Sequence, residues 1–148
     1  MIREAMATWT GGAYAGEGRI STRGGMLSNV VYGFGSGAGD GLCTNPCELL
    51  AAAHAACISM KFANELDKAG LKPEKVETHS TITLEAVHDT WAIKEIRLDV
   101  QVTAGDLDPE KLHAAARRAK AACPISSALK VPIHLETHLH AAGVEVPA

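Results

Sequence analysis

Thr44–Gly70, TNPCELLAAAHAACISMKFANELDKAG, decides how the rest of the chain must be arranged. Asn45 suits an N-cap, Pro46 suits the first helical position, and Glu48 at the third completes a capping box. Nearly every residue from Leu49 to Met60 is apolar, which predicts a helix hydrophobic all round and buried. Lys68 in the last turn and Gly70 just beyond it close the helix. Cys57 sits halfway along, with His54 one turn before it and Lys61 one turn after.

Around this helix the chain reads as strands and one further helix. Ile2–Thr10, Gly18–Thr22 and Met26–Phe34 are strand candidates, separated by turns at Gly11-Gly12 and Arg23-Gly24-Gly25. Gly33–Gly41, GFGSGAGDG, is a loop; it has neither a Walker lysine nor a strand-to-helix G-x-G-x-x-G context, so it is not read as a phosphate cradle. After the helix, Val76–Val87 places Val76, Thr78, Ser80, Ile82, Leu84 and Ala86 on one face. Trp91–Thr103 answers with Ile96, Leu98, Val100 and Val102 opposite Glu95, Arg97, Asp99 and Gln101, and His88-Asp89-Thr90 joins the two as a hairpin.

Asp108 and Pro109 then start a second helix whose apolar stripe is Leu112, Ala115, Ala116, Ala119 and Cys123, and Pro124 stops it. The last strand, Leu129–Leu139, separates Ile133, Leu135 and Leu139 from His134, Glu136, His138 and His140. The order β-β-β-α-β-β-α-β defines an α+β protein, expected to be a single domain over residues 1–148.

Bulk properties exclude several classes. A chain of 148 residues suffices for one domain that buries roughly 70% of its unfolded surface. A net charge of −3 argues against nucleic acid or an anionic membrane as partner. No apolar run is long enough to span a bilayer, and MIREAMATW lacks the hydrophobic region of a signal peptide, so a soluble cytoplasmic protein is expected. Four cysteines in that setting point to redox chemistry or metal rather than to a secreted disulfide framework.

A buried free cysteine is ordinarily an inert small hydrophobe. Two features favour chemistry at Cys57. Positive charge on His54 or Lys61, three residues before and four after, favours a thiolate. Cys123 faces inward on the second helix, followed by Pro124 and a turn containing Ser126. If the helices pack face to face, the two thiols come within disulfide reach, about 5.5 Å between Cα atoms. That supplies the nucleophile and resolving partner that a reversible peroxide-reacting site needs.

TNPCELLAAAHAACISM at 44–60, AKAACPIS at 119–126 and YGF at 32–34 resemble the OsmC/Ohr family of hydroperoxide-reducing proteins, the OsmC branch more closely. The resemblance covers almost the whole chain, including element order and both inner cysteines. It implies an intertwined homodimer, with strands of both chains wrapped around two central helices and two sites at the interface. It implies a thiol peroxidase of oxidative and osmotic stress defence, acting on organic hydroperoxides and more weakly on hydrogen peroxide. Cys57 matches the peroxidatic cysteine and Cys123 the resolving one. A small dithiol or a lipoylated protein is the implied reductant, and neither metal nor organic cofactor is implied.

The departures fall on charged positions. The family's glutamate after Asn-Pro is Cys47 here. Its thiolate-holding arginine aligns with Gly37 by the OsmC-like position, or with Ala13 by the Ohr-like one. Losing one member of a buried acid–arginine pair costs several kcal/mol, whereas losing both can be nearly neutral. The joint absence is tolerable for folding and costly for transition-state stabilisation. Arg19 and Arg23 are the candidates to substitute, and Glu48 is either a plain capping residue or a displaced acid.

Cys43 and Cys47 are open to several readings: a Cys43–Cys47 disulfide capping the helix, a local site shared with Cys123 of a partner chain, a reactive Cys47 thiol at the helix N-terminus, or replacement without chemistry. Cys47 and Cys57, ten residues apart on one straight helix, are separated by roughly 15 Å and share neither metal nor disulfide. His134, Glu136, His138 and His140 at period two form either a solvated face or a divalent-metal site. Two rival functions stand beside the peroxidase. One is a thiol protein using Cys43 and Cys47 for disulfide exchange or metal; the other is a module binding an apolar ligand at the dimer interface.

Overall fold

A computed structural model describes residues 1–13, 15–33, 43–105 and 108–142. These residues gather into two compact units, Met1–Leu50 and Ala51–Ala148. No helix among the described residues is long and apolar enough to cross a membrane.

In the first unit β1 (Ala5–Thr10), β2 (Glu17–Thr22) and β3 (Val30–Tyr32) form an antiparallel sheet in chain order. The third strand is much shorter than the expected Met26–Phe34. Gly25 and Asn29 adopt positive φ (78° and 57°), so the chain is still turning through Met26 and enters the ladder only at Val30. The Asn29 N–H donates to Ser21 Oγ and fixes that turn. Phe34 and the glycine run that follows lie outside the described residues.

Two glycines leave no room for a side chain. A Cβ on Gly16 would lie 2.6 Å from the carbonyl oxygens of Gly12 and Thr10, and one on Gly18 would strike the Tyr32 ring at 2.5 Å. The Tyr32 ring in turn meets Trp9, with centroids 5.9 Å apart and planes tilted by 56°.

The long helix, α1 (Pro46–Lys68), starts and ends as the sequence dictates, with one change at the cap. Asn45 Oδ1 accepts the Glu48 N–H at 2.9 Å, but the Glu48 carboxylate accepts the Thr44 hydroxyl at 3.1 Å instead of closing the box on Asn45. Gly33 N–H donates to Thr44 O, tying the cap to the end of β3. At the other end Gly70 (φ 78°) donates to Asp67 O and Leu71 to Leu66 O, a Schellman closure whose two leucines are both in the core.

The second unit holds the remainder of α1, then β4 (Pro73–Val87), β5 (Thr90–Ala104), α2 (Pro109–Ala122), α3 (Pro124–Ala128) and β6 (Ile133–Ala141). Its sheet runs β4-β5-β6, antiparallel on one side of β5 and parallel on the other. A parallel neighbour demands a crossover, which α2 and α3 supply. Ile96, Leu98, Val100 and Val102 of β5 are at most 1% exposed and pack with Ile58, Phe62 and Leu66 of α1 and with Leu112, Ala115, Ala116 and Ala119 of α2.

The alternation of β4 fails at its far end. The register slips between Thr83 and Leu84, and Leu84 is exposed. The loop between β4 and β5 is only His88-Asp89, with His88 at φ 54°.

The expectation that α1 is buried all round does not hold within the chain. His54, Ile58, Phe62, Glu65 and Leu66 make one buried stripe, while Ala52, Ala53, Ala56 and Met60 are exposed. A sheet covers one side of a helix, and the alanines that made the sequence read as uniformly apolar are small enough to lie on the other. Glu65, 7% exposed, joins α1 to α2 by accepting from Lys68 Nζ at 2.7 Å and Arg118 Nε at 2.8 Å.

The hydrogen bonds from Lys68 and then Arg118 outweigh burial and hold the Glu65 carboxyl below the ordinary glutamate range. A depressed folded-state pKa contributes stability that is present above the unfolded pKa and lost as pH falls through the folded one. Glu65→Gln is therefore expected to lower the denaturation midpoint most at neutral pH, with the gap to the parent narrowing below about pH 4.3. Paired denaturation curves at several pH values check this, and a gap independent of pH contradicts it. Gly16→Ala is expected to destabilise the β1–β2 turn, because the atoms it meets are backbone carbonyls that no rotamer change can move; the same denaturation assay reads the loss.

Candidate active site

Cys57 is carried on α1, half-buried beside its apolar stripe, where the helix passes the end of α2. Cys123 lies at that end and is fully buried. It serves two helices at once. Its N–H donates to Lys120 O as α2 terminates, and its Sγ accepts the Ser126 N–H at 3.4 Å as α3 begins. Pro124, expected only to stop a helix, also starts one, because the first helical position needs no N–H. Cys123 is thereby pinned at an extended backbone (φ −78°, ψ 115°) with its sulfur turned toward α1. The two sulfurs are 2.8 Å apart, and both cysteines are free thiols.

A second link runs beside the first. His54, one turn before Cys57, places Nε2 2.8 Å from the hydroxyl of Ser126, one turn after Cys123. Burial and then the nearby charge of Lys120 lower the His54 pKa, so the imidazole is neutral near pH 7. The expectation of a positive His54 favouring the Cys57 thiolate is corrected here: the ring is desolvated and directed at Ser126.

The two thiols differ in acidity. Burial raises the Cys57 pKa, and its hydrogen bond to Cys123 and the charge there raise it further, against the smaller effects of the Ile125 N–H and Lys61. Burial also raises Cys123, but hydrogen bonds from Cys57, from the Ser126 N–H and hydroxyl and from the Ile125 N–H outweigh it and bring Cys123 below the ordinary thiol range. With sulfurs this close, the two thiols titrate as one unit. The sequence places Ser126 in the turn after Pro124 but assigns no contact to it or to Ile125, although a serine three residues after Cys123 is where an N-terminal turn offers its N–H.

The other candidates lie in the first unit. Cys47 is the second residue of α1, and both it and Cys43 are free and half-buried. Glu48 is engaged in the cap. Arg19 pairs with Glu17 at 2.7 Å and donates to Asn29 O, and Arg23 pairs with Glu4 at 2.9 Å, so each arginine has an acid of its own unit. Ala13 falls in the turn between β1 and β2, and Gly37 lies outside the described residues.

The histidine face of β6 meets partners on β5. His134 lies 3.6 Å from Glu95, His138 lies 3.6 Å from Asp99, and His140 pairs with Gln101. Asp99, Glu136 and His138 bring ligand atoms within 4.8 Å of one another on exposed surface.

Residues 39–138 match the OsmC-like protein family. The chain is 36% identical over 137 residues to Peroxiredoxin OsmC of Escherichia coli, covering 93% of this chain and 96% of that one, and the Shigella flexneri protein of the same name matches equally. Among solved structures, an OsmC-like protein of unknown function from Vibrio cholerae superposes with a TM-score of 0.79 at 15% identity, covering 93% of this chain and 99% of that one. The organic hydroperoxide resistance protein OhrB of Bacillus subtilis gives 0.64 at 24% identity, covering 93% and 98%. With residues 39–138 matching the family and 36% identity across 93% of its length to a named member, the chain belongs to the OsmC family.

Proposed function

We propose that the chain is a thiol-dependent peroxidase that reduces organic hydroperoxides, and hydrogen peroxide more weakly, through Cys57 and Cys123. The coarse part, a peroxidase-type role, follows from membership of the OsmC family and 36% identity to proteins named Peroxiredoxin OsmC. The observation that carries the finer part is two free thiols with sulfurs 2.8 Å apart, one half-buried and one buried. The half-buried sulfur is the one a peroxide meets first.

The chemistry balances with one proton on the pair. Cys57 sulfur attacks the distal peroxide oxygen, the O–O bond breaks, and the alkoxide leaves as an alcohol with a proton. Cys57 becomes a sulfenic acid, and Cys123 remains or becomes the thiolate. Its sulfur attacks that of Cys57, forming the disulfide and expelling hydroxide, which leaves as water. An external dithiol, small or lipoyl-type, returns two electrons and restores the pair by thiol–disulfide exchange.

The acid and arginine that the resemblance implies align with Cys47 and with Gly37 or Ala13 here, while Lys61 supplies a positive charge that acts on Cys57. A lysine point charge lacks the planar fork of an arginine, so attack is slower than with an arginine in place. The exposed Ala52, Ala53, Ala56 and Met60 face of α1 supports the reading of the chain as half of a homodimer.

One equivalent of cumene hydroperoxide, added to reduced protein and followed by peptide mass mapping, is expected to give a Cys57–Cys123 disulfide with Cys43 and Cys47 still free. A Cys43–Cys47 bridge as first product would overturn the assignment. Steady-state consumption with a dithiol should fall to background in Cys57→Ser and persist in Cys47→Ser. Cys123→Ser should complete one oxidation and accumulate sulfenic acid on Cys57, detected with dimedone.

A further inference from the structure

The face of the β4-β5-β6 sheet turned away from the helices carries ionisable side chains that the sulfur chemistry does not use. Ile96, Leu98, Val100 and Val102 of β5 point into the core, so Asp99 and Gln101 between them lie on the opposite face. β6 runs in parallel register beside them, with Glu136 paired to Asp99 and His138 to Gln101. Ligand atoms of Asp99, Glu136 and His138 all come within 4.8 Å of one another.

Two carboxylates directly opposite each other on neighbouring strands repel. Among the described residues, no lysine or arginine lies within ion-pair distance of either one; the partner of Asp99 is His138, with Nε2 3.6 Å from Oδ2. That separation is too long for a hydrogen bond. It does match the roughly 3.3–3.6 Å between two ligands held at about 2.0–2.2 Å by one tetrahedral zinc ion. The rest of the group lies within 4.8 Å, a gap that rotation of the exposed Glu136 side chain closes. His134 and Glu95 have the same 3.6 Å spacing, but Glu95 already has Arg97 at 3.0 Å, so its charge is met.

Asp99 is also aimed. Gln101 Nε2 donates to Asp99 Oδ1, and Gln101 Oε1 accepts from His140 Nε2, since an amide oxygen cannot donate. The two bonds fix the amide and hold one carboxylate oxygen, which leaves Oδ2 for the side of His138. Carboxylates that bind metals are held in this way, and losing such a support typically costs about 10–100-fold in affinity.

We infer that Asp99, Glu136 and His138 form a zinc-binding site that ties β6 to β5. An imidazole nitrogen selects against magnesium and calcium, which take oxygen ligands, and three protein ligands leave the remaining position to water. Spacing along β6 alone suggests a metal shared among His134, Glu136, His138 and His140. Residues two apart on a strand are separated by roughly 6.6 Å, however, whereas neighbouring strands lie only about 4.8 Å apart. The structure accordingly replaces the outer histidines with an aspartate from the adjoining strand. The site lies on the far face of the sheet from the sulfur pair and does not rest on the peroxidase reading.

The test compares bound zinc in the full, reduced chain with that in Asp99→Asn, Glu136→Gln and His138→Gln, after dialysis against micromolar free zinc and elemental analysis. Zinc on the cysteines is common to all of these proteins and drops out of the comparison. The unmutated chain is expected to hold one equivalent more than each variant, and Gln101→Leu to bind that equivalent about tenfold more weakly. His134→Gln should keep it. Equal zinc in the unmutated chain and the three ligand variants overturns the site, as does a loss in His134→Gln to match that in His138→Gln.

Circular dichroism checks that each variant folds. Where one does not, the histidine ring signals of the unmutated chain, followed by nuclear magnetic resonance, decide the question. Zinc should shift or broaden the His138 ring signals and leave those of His113, on α2, in place. Excess magnesium should not reverse the change. His138 signals that ignore zinc, or a change that magnesium reverses, overturn the inference.

Discussion

The contact between two sulfur atoms at 2.8 Å is possible only because the core fixes the two helices that carry them. Cys57 is set by a 23-residue helix whose buried stripe, Ile58, Phe62 and Leu66, locks its rotation against the central strand. Cys123 is set by the end of a crossover that exists because β6 runs parallel to β5. A one-turn slip of either helix would move a sulfur by roughly 5.4 Å and open the pair. Alanines 115, 116 and 119 give α2 a small-residue face toward the core, which favours close approach, and the Glu65 bridge from Lys68 to Arg118 resists sliding of one helix along the other.

The two sulfurs are held in different ways. Cys57 is a mid-helix residue, so its turn has no spare N–H groups to offer it. Cys123 is the N-cap of α3, where free N–H groups converge on its sulfur. The same backbone logic that makes serine or aspartate a good cap makes a capping thiol more acidic. Cys57 is thus half-buried in the middle of one helix, and Cys123 is buried at the start of another.

Much of this was legible in the letters. The element order, both helix starts, the Gly70 closure and the two faces of β5 follow from capping residues and period-two alternation, signals that act over a few residues. Three features were not legible, each for a physical reason. The uniform apolarity of Leu49–Met60 suggested burial on every side, because alanine counts as apolar without demanding cover. The third strand was overdrawn because Asn29 at positive φ reads as an ordinary polar residue until its backbone is seen. His54 was given a charge because proximity to Cys57 along the helix is visible in sequence, whereas its burial and the hydroxyl of Ser126, 72 residues away, are not.

The unpartnered Nδ1 of His54 bears on why a histidine occupies that position at all. Leaving a buried polar atom unpaired costs about 1–3 kcal/mol, and an apolar residue of similar size on the stripe formed by Ile58, Phe62 and Leu66 would avoid the cost. Packing alone therefore disfavours histidine at position 54. Its other nitrogen, however, lies 2.8 Å from the hydroxyl of Ser126, whose N–H caps Cys123, a contact no aliphatic side chain can make. The local loss at Nδ1 is set against that contact, which joins α1 to the turn that begins α3 beside the sulfur pair.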